Sequence, residues 1–78
     1  MPPTFDYTVD GEPQKTTEHR LTVRQILDNS GLDSATHYLL ELNGDHREAH
    51  KNLDEVIQIH EHMKFLSVST APTPVSQG

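Results

Sequence analysis

Phe5-Asp6-Tyr7-Thr8-Val9 alternates apolar and polar residues with a period of two. That period sends Phe5, Tyr7 and Val9 to one side of an extended chain, so a half-buried strand is predicted. Asp10-Gly11 follows, a pair suited to the positive backbone angles of a tight hairpin turn. Residues 16–21, rich in Thr, are expected to form the returning strand. The period then changes. Val23, Ile26 and Leu27 stand three and four apart, as on one face of a short amphipathic helix. Thr22 and Gln25 have the spacing of a capping box, and Leu21 and Ile26 that of a hydrophobic staple. Gly31 is placed to end the helix in a left-handed conformation, with Leu32 as the apolar contact after it.

Residues 37–42 read as a strand closed by the turn Asn43-Gly44-Asp45. Tyr38, Leu40 and Leu42 share one of its faces, and Leu39 and Glu41 the other. Residues 46–51 are polar and suit a loop or a short edge strand. Two readings stay open for residues 53–59: Asn52 caps a short helical turn, or Asp54-Glu55 bends the chain before a short strand. Residues 64–70 alternate again and form the last strand. The expected core is Tyr7, Val9, Leu27, Leu40, Leu42, Ile59 and Phe65. Hairpin, helix, strand, short pieces and strand make an α+β roll, with one helix packed on a mixed four- or five-stranded sheet. First and last strands paired in parallel at the sheet centre would make it a β-grasp. The domain is expected to span residues 1–70, with residues 71–78 as a flexible tail.

At 78 residues there is room for one domain and a modest core. The chain has no Cys, which removes disulfides, thiolate metal sites and a thiol nucleophile. A formal net charge of −6 argues against nucleic acid and anionic membranes as partners. No apolar run is long enough to cross a bilayer, and Met1-Pro2-Pro3 does not begin a signal peptide, so a cytoplasmic protein is expected. Six histidines add positive charge on mild acidification.

Five segments carry a resemblance: Tyr7-Thr8-Val9-Asp10-Gly11-Glu12, Leu21-Thr22-Val23-Arg24-Gln25-Ile26-Leu27, Ser30-Gly31-Leu32, Tyr38-Leu39-Leu40 and Met63-Lys64-Phe65. In this order and spacing they resemble the bacterial multiubiquitin-type ubiquitin-like domains, over about residues 5–68. These domains are encoded beside bacterial relatives of ubiquitin-activating, conjugating and deconjugating enzymes. The resemblance implies a ubiquitin-like β-grasp modifier whose C-terminal carboxylate is adenylated, with ATP, by an activating enzyme. The modifier would then pass as a thioester to a conjugating enzyme and on to an acceptor on a target protein, and a deconjugating protease would reverse the bond. Two departures stand out. The chain ends in a single glycine, Gly78, with no Lys or Arg in residues 71–78, which points to a divergent activating enzyme. Glu41 is expected opposite Leu40 and Leu42, so an apolar patch on the outer face of the sheet should be small or acidic.

Glycine lacks a side chain, so the Gly78 carboxylate is the candidate conjugation group: it can pass a narrow channel and meet an activating nucleotide. Eight extended residues reach about 25 Å. Pro72 and Pro74 stiffen the segment towards polyproline II, and with Val75, Ser76 and Gln77 they are the residues expected to thread into the activating enzyme. A frayed end is the plainer reading. Lys15, Lys51 and Lys64 are candidate acceptors for chain building, with surface solvation as the simple alternative.

A metal site is the alternative at His60 and His62, which would point the same way if extended, with His46, His50 or Asp54 as third ligand. Solvated histidines explain the same residues. No nucleophile–base spacing and no phosphate loop is present, so an enzyme is not expected. The isolated Gly11, Gly31 and Gly44 serve turns, and Asp54-Glu55 reads as surface charge. Two other functions share this architecture: a non-covalent binding or self-assembly module offering a sheet edge, and a sulfur carrier activated at its C-terminus.

Overall fold

The computed structural model describes residues 3–70. The chain forms β1 (Phe5–Val9), β2 (Glu12–Thr16), β3 (Arg20–Thr22), α1 (Val23–Asn29), β4 (His37–Asn43), β5 (His46–His50), β6 (Val56–Gln58) and β7 (Met63–Ser69). A mixed five-stranded sheet has the order β2-β1-β7-β4-β5, and β3 and β6 form a separate antiparallel pair. The fold is α+β, with one helix. No helix among the described residues is long and apolar enough to cross a membrane.

The first hairpin turns on Asp10 and Gly11, both at positive φ (54° and 81°), which lets strands joined by only two residues keep their right-handed twist. That tight turn corrects the expected returning strand. The strand opposite β1 is residues 12–16, with Val9 facing Glu12 and Phe5 facing Thr16; of the expected residues 16–21 only Thr16 belongs to it. Pro13 lies within this strand, opposite Thr8. It is tolerated because β2 is an edge strand, where a missing N–H can face away from the ladder. The chain then leaves the main sheet, and β3 pairs with β6 (Leu21 opposite Ile57).

The helix follows its signals closely. The Thr22 hydroxyl accepts from the Gln25 N–H at 3.1 Å, and the Gln25 side chain accepts from the Thr22 N–H at 2.8 Å. Residues 52–55 supply two more acceptors: Val23 N–H donates to the Glu55 carbonyl at 3.0 Å and Arg24 N–H to that of Leu53 at 3.1 Å. At the other end Leu32 N–H donates to Leu27 and Gly31 N–H to Asp28, the paired bonds of a Schellman stop, with Gly31 at φ 78°. Val23, Ile26 and Leu27 are each fully buried.

The two readings of residues 53–59 combine. The Asn52 side chain accepts from Asp54 N–H at 3.0 Å and its carbonyl from Glu55 N–H at 3.0 Å, closing a turn that feeds the short strand β6. Residues 46–50 form an edge strand, not a loop.

β1 and β7 run parallel at the middle of the sheet, with Tyr7 opposite Met63 and Val9 opposite Phe65. The pairing is anchored beyond the ladder. Asp10 N–H donates to the Phe65 carbonyl at 2.9 Å, and the Asp10 carboxylate accepts from the Ser67 N–H at 2.8 Å and hydroxyl at 2.6 Å. At the other end His62 N–H donates to the Asp6 carbonyl at 2.7 Å.

The core is Tyr7, Val9, Leu21, Val23, Ile26, Leu27, Leu39, Ile57, Ile59 and Phe65, with Tyr7 and Phe65 meeting edge to face at 6.0 Å. Two expected members are absent. Leu40 and Leu42 are only half-buried, and Leu39 takes the core position with 0 % exposure. Tyr38-Leu39-Leu40 is apolar on both faces, so alternation alone could not say which face meets the helix. The antiparallel register with β7 decides it by placing Leu39 on the side of Phe65.

Candidate functional site

The inversion of β4 rebuilds the outer face of the sheet. Tyr38 lies opposite Val68, and Leu40 opposite Leu66 on one side and Ala49 on the other. Leu42 lies between Arg47 and Lys64. An apolar strip of Tyr38, Leu40, Leu42, Leu66 and Val68 therefore runs across β4 and β7 on the face away from α1. The expectation of a small or acidic patch fails, because it placed Glu41 on this face. Glu41 shares the inner face with Leu39, near the β5 edge where His50 lies.

Basic residues border the strip. Lys64 continues it along β7, next to Thr8. Lys15 lies beyond, opposite Asp6, and the two pair at 3.6 Å. The Lys51 ammonium sits 5.0 Å over the Tyr38 ring, a cation–π contact. Four of the chain's six Lys and Arg residues (Lys15, Arg47, Lys51 and Lys64) thus gather on one face of a molecule with a net charge of −6. An open groove of about 600 Å³ lies at one end of this face, lined by Thr8, Pro13, Lys15, Met63 and Lys64 among others. All three candidate acceptor lysines border this face.

His60 and His62 do not lie on one extended face. They follow β6 in a turn in which His62 has φ 64° and the His60 N–H points to the Met63 sulfur at 3.1 Å. Neither joins a group of three donors. Among the described residues the one such group is Glu41, Glu48 and His50, with donor atoms within 4.8 Å of one another. There, both His50 ring nitrogens are engaged by carboxylates: Nδ1 lies 2.9 Å from Glu55 and Nε2 3.1 Å from Glu41.

Gly78 and the expected threading residues Pro72, Pro74, Val75, Ser76 and Gln77 lie outside the described residues. The chain reaches them directly from β7, at the middle of the sheet, whose last bond before them runs from Thr70 N–H to the Thr36 carbonyl at 2.7 Å.

Two features were missed in the sequence although signals for them existed. With Phe65 in the core, the alternation of residues 64–70 already sends Leu66 and Val68 outward. A two-residue turn at Gly44-Asp45 sets Glu41 opposite Glu48 and Leu39 opposite His50, so the three polar side chains fall on one face.

No family model, no curated protein and no solved structure matches the chain.

Proposed function

We propose that the chain is a ubiquitin-like modifier of the β-grasp type. In this reading the C-terminal carboxylate is activated by adenylation, carried as a thioester and joined to an acceptor on another protein. The observation that carries it is the central parallel pair β1–β7, with one helix packed against the sheet and residues 71–78 following β7 from its middle. This arrangement is compatible with a β-grasp, and it puts β7, the strand that leads on to the C-terminal segment, at the centre of the sheet. The resemblance of residues 5–68 to multiubiquitin-type domains supports the same reading.

The chemistry asks little of the folded body beyond recognition. Adenylation joins the carboxylate to AMP and releases pyrophosphate. Transfer then forms a thioester and releases AMP, and attack by an amine or hydroxyl frees the thiol. The outer face suits recognition, because an apolar strip with a basic rim matches an apolar, acidic surface on a partner. Incubation with ATP and a ubiquitin-type activating enzyme from a bacterial operon of this kind tests the proposal. The full chain should form a covalent adduct, and a chain lacking residues 71–78 should form none.

The same outer face favours a second reading, a non-covalent binding module. The truncated chain separates the two: a module keeps its partner without residues 71–78, whereas a modifier loses its adduct.

A further inference from the structure

His50 is the one buried polar or charged side chain among the described residues, 5 % exposed. Its position follows from register: opposite Leu39 across β4 and β5, it faces the core side of the sheet edge. There the ring lies between two carboxylates from different segments, Glu41 on β4 at 3.1 Å and Glu55 in the connection before β6 at 2.9 Å. A neutral imidazole has one N–H and can satisfy only one of them. The imidazolium donates to both.

The surroundings make that charge matter. Glu48 is directly opposite Glu41 across the strands and adds a third carboxylate within 4.8 Å. The other cations close by in the chain are engaged elsewhere. Lys51 lies over Tyr38, and Arg24 of α1 pairs with Asp54 at 3.2 Å. β6 (Val56, Ile57 and Gln58) offers no ionisable side chain. Glu55 is also a helix cap, since its carbonyl and that of Leu53 receive the Val23 and Arg24 N–H groups.

We propose that His50 is a proton-operated latch. Charged, it donates to both carboxylates, ties residues 51–55 to the β4–β5 edge and so holds them on the N-terminus of α1; on losing its proton it can donate to only one of them, and the tie loosens. Burial of the ring opposes the charge, but the hydrogen bonds to Glu55 and Glu41 and their negative charges outweigh it, raising the pKa above 6.5. The sign follows. The stabilisation is fully present below about pH 6.5 and is lost as the pH rises through the higher folded value. Loosening would also give Lys51, the residue covering Tyr38, more freedom, so the outer face would gain apolar surface at higher pH.

The test is amide hydrogen exchange at Val23 and Arg24, corrected for intrinsic rates, across about pH 5.5–9 in the full-length chain. Protection should fall roughly three- to tenfold as His50 deprotonates. A nitrogen-detected titration of the ring should show both nitrogens protonated at the low end. His50→Gln should remove the step, and Glu55→Gln should flatten it even if His50→Gln fails to fold. An unchanged step in Glu55→Gln, or a ring singly protonated at low pH, overturns the latch. So does a step that appears only with added Zn²⁺ or disappears with EDTA, because the cluster would then be a metal site.

Discussion

Leu39→Ala and Leu40→Ala should behave very differently, although the residues are neighbours of the same type. Leu39 is fully buried between the sheet and the helix layer. Truncating such a leucine costs about 2–5 kcal/mol, from lost apolar burial and the cavity left behind. Leu40 is half-buried on the outer face, against Leu66 and Ala49. Fully burying a leucine is worth about 1.5–3 kcal/mol, so losing a partly covered one costs about 1 kcal/mol. A chain of this size has a total stability on the order of 4–12 kcal/mol, so Leu39→Ala consumes a large share of it. Urea unfolding reads the difference. With a slope of about 1 kcal/mol/M, the two midpoints should lie at least about 1 M apart, Leu39→Ala lower. If the outer face is a docking surface, as proposed, Leu40→Ala should instead show its main effect as weaker partner binding. Equal midpoints, or a lower midpoint for Leu40→Ala, would refute the face assignment and with it the half-buried outer strip.

Thr22→Ala should lower stability by about 1 kcal/mol in the same assay, because it removes one half of the capping box; no measurable loss would mean that the box is formed but idle. Asp10→Gly keeps the positive φ of the turn yet removes both bonds to Ser67, and should cost about 1–2 kcal/mol after allowance for exposure. Asp10→Asn should cost much less, since its amide can still accept from the Ser67 N–H and donate to its hydroxyl.

Local punctuation made much of the fold legible. Asp10-Gly11, Thr22-Val23-Arg24-Gln25 and Gly31-Leu32 each commit the backbone within four residues, and each forms as its chemistry requires. The failures came where a distant partner decides. Residues 12–16 form a strand despite Pro13, because β1 needs only an edge partner there. The face of β4 depends on its register with β7, some 27 residues away in the chain. That one choice exchanged Leu39 for Leu40 in the core and moved Glu41 from the outer face to His50. The candidate site followed the same rule. Lys15, Lys51 and Lys64 were legible as residues, but the surface that gathers them is a product of strand order. His60 and His62 looked paired only on the assumption of an extended chain, which the positive φ of His62 excludes.

Mass spectrometry of the chain after incubation with ATP and a ubiquitin-type activating enzyme tests the modifier proposal most directly. The full chain and one carrying a single extra residue after Gly78 are compared. A modifier that works through this carboxylate gives an AMP- or thioester-linked adduct for the first and none for the second. Equal adducts from both would contradict it.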